Sequence, residues 1–276
     1  MENINVNEKV SSNKERGQSF AKIKNERLGE IKINNQGEVM FIVEYVNTHD
    51  ITVQFKATGE RVKTAYRDFV RGNVKSHFTA TVYGVGTTGL EPTRDENGEK
   101  IDSYKCWRSM LERCHSSKFQ DKYPTYKGCY VHNEWLYYPN FKKWYDENYY
   151  EVDNQTSQLD KDVLIKGNKV YSPNTCVFVP QFINKLFIKS QNTRGELPIG
   201  VCYYKASKKY KAQLSMYKDG KSTQKNLGYY NTPNEAFEVY KRAKEEYIKE
   251  VADEYKDIIP VELYKAMYEY EVNIND

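Results

Sequence analysis

Between Ile199 and Tyr230 seven lysines (Lys205, Lys208, Lys209, Lys211, Lys218, Lys221 and Lys225) stand against the single acid Asp219, a local charge of +6 in a chain whose net charge is only +4. Ammonium groups at that density attract a phosphate backbone, and the amides of Gln213, Gln224 and Asn226 among them could read base edges. The plain alternative is a lysine-rich face kept for solubility. A second group begins with Asp160, Lys161 and Asp162 and continues through Gly167-Asn168-Lys169 to Ser172-Pro173-Asn174-Thr175-Cys176. Short acids and amides satisfy turn backbone, so this stretch reads as a tight hairpin. Ser-Pro-Asn-Thr then reads as a helix start, with Ser172 or Asn174 as cap and Pro173 in the first turn. Cys114, Cys129, His132 and Cys176 could form a zinc site if the fold joins them, but no paired C-x-x-C is present. Five cysteines, an odd number, point instead to reduced, buried thiols.

The elements that must hold the lysines are easily traced. Ile199 to Tyr204, Tyr210 to Tyr217 and Ser222 to Tyr229 are three strands, joined by K-A-S-K-K and by K-D-G-K, whose Asp-Gly is a hairpin signal. A helix follows, with Thr232 as N-cap, Pro233 at its first position and Glu235 completing a capping box. Its apolar face is Ala236, Val239, Tyr240, Ala243 and Tyr247. Packed on one side of the sheet, that helix leaves the other side to solvent, where Lys205, Lys209, Lys211, Gln213, Lys221, Gln224 and Lys225 should lie.

Upstream, Trp107, Met110, Leu111 and Cys114 recur at helical spacing, and Trp135, Phe141 and Trp144 look like core anchors. Nearer the start, G-E-I-K-I-N-N, G-E-V-M-F-I-V-E-Y-V, D-I-T-V-Q-F-K and R-V-K-T-A-Y alternate with period two between Asn- and Gly-containing turns, the pattern of a small antiparallel barrel. Arg61, Lys63, Arg67 and Arg71 in this module could face phosphates or form the solvated side of a strand. The expected class is therefore α+β in several units: a flexible arm over 1–17, a barrel-like module over 18–86, a linker over 87–103, a central unit over 104–190, a sheet-and-helix unit over 196–256 and an acidic helix and tail over 257–276. The last segment holds five acids after Lys256 (Asp257, Glu262, Glu269, Glu271, Asp276) against Lys265, a net −4. Leu263, Met267 and Tyr270 form its stripe, which would pack back on the body or support self-association.

Composition narrows the class further. Hydrophobic residues make up 39% of the 276, and 25 tyrosines favour small sheets and binding faces over deep aliphatic cores. No stretch nears the roughly 20 apolar residues of a membrane span, and the first thirty residues show no apolar signal core, so a soluble cytoplasmic protein is expected.

The ordered motifs W-R-S-M-L-x-R-C (Trp107 to Cys114), Y-K-G-C-Y-V (Tyr126 to Val131), E-W-L-x-x-x-x-F-x-x-W (Glu134 to Trp144), L-D-K-D (Leu159 to Asp162), G-N-K-x-Y-S-P-N-T-C (Gly167 to Cys176) and I-N-K-L (Ile183 to Leu186) resemble phage-encoded HNH-endonuclease-like proteins. From Leu197 to Val251, G-V-x-Y, K-Y-K-A, G-K and L-G-Y-Y-x-T-x-x-E-A-F-x-x-Y resemble the AP2-type DNA-binding domain, which lays a three-stranded sheet in the major groove. The first resemblance implies a ββα-metal unit in which a histidine activates water and one divalent cation, Mg²⁺ or Mn²⁺, stabilises the leaving oxygen. Carried over by position, Asp160 is the early metal ligand, Asn174 the hairpin-ordering asparagine and Asn184 the late ligand. Lys161 stands where the general base belongs. An ammonium is charged at neutral pH, so there it would anchor a phosphate better than it would take a proton. His115 and His132 lie upstream, where they more naturally pack or cap. These resemblances imply a phage protein that binds double-stranded DNA on an HNH scaffold with lost or weak cleavage. A counter-defence protein that binds and blocks a host nucleic-acid-handling complex is the other expectation, motivated by the modest charge, the tyrosines and the acidic tail.

Overall fold

The computed structural model describes residues 21–152, 155–188, 195–218 and 221–274. The proposed arm over 1–17 lies outside them. The fold is mixed α+β, built on several small sheets. It divides into two compact units with the boundary between Thr93 and Arg94, inside the turn-rich stretch 87–103.

In the first unit β1 (Ile31–Ile33), β2 (Val39–Asn47), β3 (Asp50–Phe55) and β4 (Arg61–Thr64) form an antiparallel meander, followed by helix α1 (Tyr66–Val70). Period-two alternation sends Met40, Ile42, Val53 and Phe55 to one face, and a register shift after Ile42 turns Tyr45 inward opposite Ile51. Phe69 and Val74 complete this core. The sheet stays open, which corrects the barrel-like expectation: among the described residues β1 and β4 are its two edges and do not pair. Outer strands of three and four residues are too short for the tilt and stagger that closure demands. Arg61, Lys63, Arg67 and Arg71 are exposed, and Arg61 donates from Nε to Gln54 Oε1 (3.1 Å), as residues on the solvated side of a sheet do.

The second unit opens with α2 (Asp102–His115) and α3 (Ser117–Lys122), then β5 (Tyr130–Val131) and α4 (Tyr138–Asn148). Trp107, Met110, Leu111 and Cys114 form the buried stripe of α2, and Trp107 Nε1 donates to the Trp135 carbonyl (2.6 Å). Strand β6 (Ser157–Asp160) pairs antiparallel with β8 (Val177–Pro180), whereas β7 (Val170–Tyr171) pairs parallel with β5. The stretch from Asp160 to Tyr171 is thus a long loop between different sheets, not a hairpin. Ser172 to Cys176 is a turn closed by Thr175 and Cys176 amides on the Ser172 carbonyl, not a helix start. The apolar, β-branched run Val177–Pro180 that follows is buried throughout, and pairing with β6 overrides the local capping signal. The chain then forms the short helix α5 (Gln181–Asn184).

Strands β9 (Val201–Tyr204), β10 (Lys209–Lys218) and β11 (Lys221–Tyr230) make a three-stranded antiparallel sheet, covered by the long helix α6 (Pro233–Tyr255). Thr232 Oγ1 accepts from the Glu235 amide (3.2 Å) while Glu235 Oε2 accepts from the Thr232 amide (3.3 Å), the capping box expected of that sequence. Helix α7 (Val261–Tyr268) folds back on α6 and buries Leu263 and Met267. One hydrophobic core joins Val179, Phe182 and Ile183 of the central segment to Leu214, Phe237, Ile248 and Met267 of the later ones.

Candidate nucleic-acid interface and the Asp160 cleft

The register of the β9–β11 sheet fixes which side chains share a face. Val201 pairs with Ala212, and these two with Leu214 are buried against α6. Lys209 pairs with Tyr204, and Lys211 with Cys202 and Tyr229, on the opposite side. After a bulge between Ala212 and Gln213, Gln213 faces Asn226 and Ser215 faces Gln224, still on that open side. The result is one face bearing Lys209, Lys211, Gln213, Gln224 and Asn226, together with the rings of Tyr204 and Tyr229 at 5.2 Å between centroids. Lys205 and Lys208 are exposed in the β9–β10 turn, and Lys225, exposed, lies opposite Leu214 on the helix side of the sheet. The side chain of Lys221 lies outside the described ones. Among the described residues no acidic side chain stands at these positions on the open face, and no ion pair to Lys209 or Lys211 is formed.

The second candidate site is a cleft of about 390 Å³ lined by Arg113, Tyr126, Asp160, Lys161, Asn168 and Asn184, with Asp162, Lys169 and Tyr171 at its wall. Asp160 and Asn184, distant in sequence, therefore meet in one place. Asn174 does not: it is exposed and lines a different depression beside Trp144, Asn148 and Pro260. Its assigned task, ordering the loop, falls to Asn168. That side chain donates to the carbonyls of Lys161 (2.6 Å) and Val170 (2.8 Å) and accepts from the Val170 amide (3.1 Å), stitching the two ends of the loop together. Nothing in residue type separates the two asparagines. The Gly-Asn pair at 167–168, a turn signal in its own right, is what marked the right one.

No family model, curated protein or solved structure matches this chain. The cleft must therefore be judged on its own chemistry. Asp160 Oδ1 accepts from the amides of Asp162 and Val163, both at 2.8 Å, which is an Asx turn. Burial, with the Asp162 carboxylate beside it, pushes the Asp160 carboxyl up to about 6. The Lys161 side chain is only 9% exposed; its Nζ lies 3.1 Å from Asp162 Oδ2 and 5.9 Å from the centre of the Tyr171 ring. Asn184 Nδ2 donates to Gln158 Oε1 (2.8 Å). This set suits a divalent cation poorly: Asp160 Oδ1 is committed to backbone amides and Asp162 Oδ2 to the Lys161 ammonium, which would compete with a metal for that carboxylate. Among the described residues no group of three or more His, Cys, Asp or Glu side chains is placed to hold a metal. His115 and His132 are exposed and neither lines the cleft. Cys114 and Cys176 are buried with thiols pushed up to about 12 by desolvation, and Cys129 is buried next to Cys114, so these sulfurs behave as core atoms.

Proposed function

We propose that the protein binds double-stranded DNA through the open face of the β9–β11 sheet, on a scaffold of HNH type whose cleavage chemistry is lost or weak. The observation that carries this reading is the cross-strand register: Lys209, Lys211, Gln213, Gln224 and Asn226 share the face that α6 leaves uncovered. Phosphate contacts from the lysines would set orientation, and the amides of Gln213, Gln224 and Asn226 would meet base edges, as in other sheet readers. The order of three strands and a helix suits the AP2-type comparison. In the Asp160 cleft, Lys161 stands beside Asp162 where the resemblance would put a histidine, and this favours gripping over cutting.

Fluorescence anisotropy with a labelled duplex tests the proposal. Contacts to about four or five phosphates give a log–log salt slope of roughly −4, and the double variant Lys209→Ala/Lys211→Ala should flatten it by roughly 2. Affinity indifferent to salt would count against the proposal, and robust nicking lost on Asp160→Ala would show that chemistry survives. A protein partner, such as a host nucleic-acid-handling complex, draws support from the exposed Tyr204–Tyr229 pair beside those lysines. One stoichiometric partner surviving nuclease treatment would favour it.

A further inference from the structure

Helix α6 carries one residue that its position should forbid. The inner face runs Tyr240, Lys244, Ile248 and Val251, and Lys244 is buried to 8% exposure among them. No hydrogen bond or ion pair to a described residue reaches its ammonium, and desolvation alone pushes that group down to about 8. A largely buried ammonium with no partner among the described residues carries a desolvation cost that folding does not require here, since a methionine would fill the same stripe.

What Lys244 faces gives it a use. It lines a cavity of about 610 Å³, within the size range of small-molecule sites. The cavity lies beyond the start of β9: Gln213 N still donates to the Gly200 carbonyl (2.9 Å), but farther along β10 that edge has no strand neighbour among the described residues. Tyr247 Oη takes the amide and carbonyl of Tyr217, each at 2.9 Å, and Ser215, two residues before, presents its main-chain groups along the same free edge. The rest of the lining is mixed: apolar from Leu186, Ile188, Leu197, Ile199 and Met216, polar from Gln213, Ser215 and Ser222, with a second ammonium, Lys185, over the Tyr217 ring at 5.3 Å. A largely buried ammonium, a free main-chain edge and an aliphatic patch together fit a ligand with one anionic head and an apolar body.

We propose that this cavity binds a small amphipathic anion, with its carboxylate or phosphate head on Lys244 and its alkyl or aryl body against Leu186, Ile199 and Met216. A bare inorganic anion would leave the apolar wall unfilled, and a neutral amphiphile would leave the ammonium unpaired. The Lys244 anchor takes no part in the proposed DNA face, although Gln213 borders both surfaces.

Isothermal titration calorimetry on the full chain decides the matter, using octanoate and octyl phosphate as probes, with inorganic phosphate and octanol as controls. Saturable one-to-one binding of octanoate or octyl phosphate is expected. The two controls should bind at least about tenfold more weakly, and Lys244→Met should weaken the better probe by about thirtyfold or more. Because Lys244→Met should stabilise the fold, a loss of binding together with a raised melting temperature separates a lost site from a lost structure. Should that variant not fold, a series from butanoate to decanoate on the native chain serves: affinity should climb by roughly fourfold per methylene and level off once the cavity is full. Absence of saturable binding by either amphiphile, binding untouched by Lys244→Met, octanol or inorganic phosphate binding as well as the amphiphiles, or affinity flat along the series would each overturn the proposal.

Discussion

Replacing Lys244 with methionine should make the ligand-free protein more stable, and the size of the gain follows from the position of the ammonium. In the fold it releases its proton near pH 8, against 10.5 for an ordinary lysine, because burial on the inner face of α6 strips its hydration. Between those two values the unfolded chain binds more protons than the folded one, so stability rises with pH across the window; below pH 8 the full penalty applies. At about 1.4 kcal/mol per pH unit the penalty at pH 7 is about 3 kcal/mol. Methionine keeps the unbranched stem on the inner face of α6 beside Tyr240 and removes the charge, so it recovers most of that energy. For a folded body of this size each kcal/mol moves the melting temperature by roughly 2–4 °C, which puts the expected rise near 10 °C. Urea titrations of both chains at pH 7, 8 and 9.5 measure the difference, which should shrink as pH approaches 10. A gap that is absent at pH 7, or that does not close with rising pH, would refute the premise that this ammonium is buried without a partner.

Three further outcomes are expected. Asp160, whose carboxyl is pushed up to about 6, holds its proton more tightly folded than unfolded, so stability is fullest below about pH 4 and declines as pH rises through 6. Asp160→Asn keeps an acceptor for both amides and should abolish that decline, on the order of 3 kcal/mol, in pH-dependent melting. Gly200→Ala should cost about 2–5 kcal/mol by urea titration, because φ there is +75° and a Cβ would sit 2.1 Å from the Tyr240 ring; a neutral effect would mean that Tyr240 moves freely. Asn168→Ala removes three hydrogen bonds from the loop between Asp160 and Tyr171 and should cost about 2 kcal/mol, whereas Asn174→Ala at its exposed position should be near neutral; the reverse order would return the ordering role to Asn174.

How far the sequence discloses the fold depends on the range of the interactions that decide each element. The β10 and β11 strands and the start of α6 are legible to within a residue or two because both are local: alternation sets the faces, and Thr232, Pro233 and Glu235 set the cap, while the Asp-Gly pair at 219–220 lies outside the described residues. The Asp160 region misleads because its outcome is not local. Val170 and Tyr171 carry no mark of their partner, and β7 joins β5 across some forty residues. Ser172-Pro173-Asn174-Thr175 satisfies every local rule for a helix start, yet the buried pairing of Val177–Pro180 with β6 takes precedence.

Lys244 shows the opposite failure, a residue whose place was legible and whose meaning was not. The helical period that assigns Ala236 and Tyr240 to the inner face of α6 assigns Lys244 there too, four residues beyond Tyr240. A charge at such a position is ordinarily discounted as a stem that reaches water past the sheet's edge. Here β9, which begins only at Val201, leaves that edge uncovered, and Leu186, Ile188 and Ile199 line the space, so most of the side chain is withdrawn from water. Strand length, a feature of β9, thus decides the environment of a side chain on α6. Wherever the hydrophobic period of a covering helix runs through a lysine opposite an incomplete sheet, the position of the charge follows from sequence, but whether it is stranded or employed depends on what the missing strand leaves open.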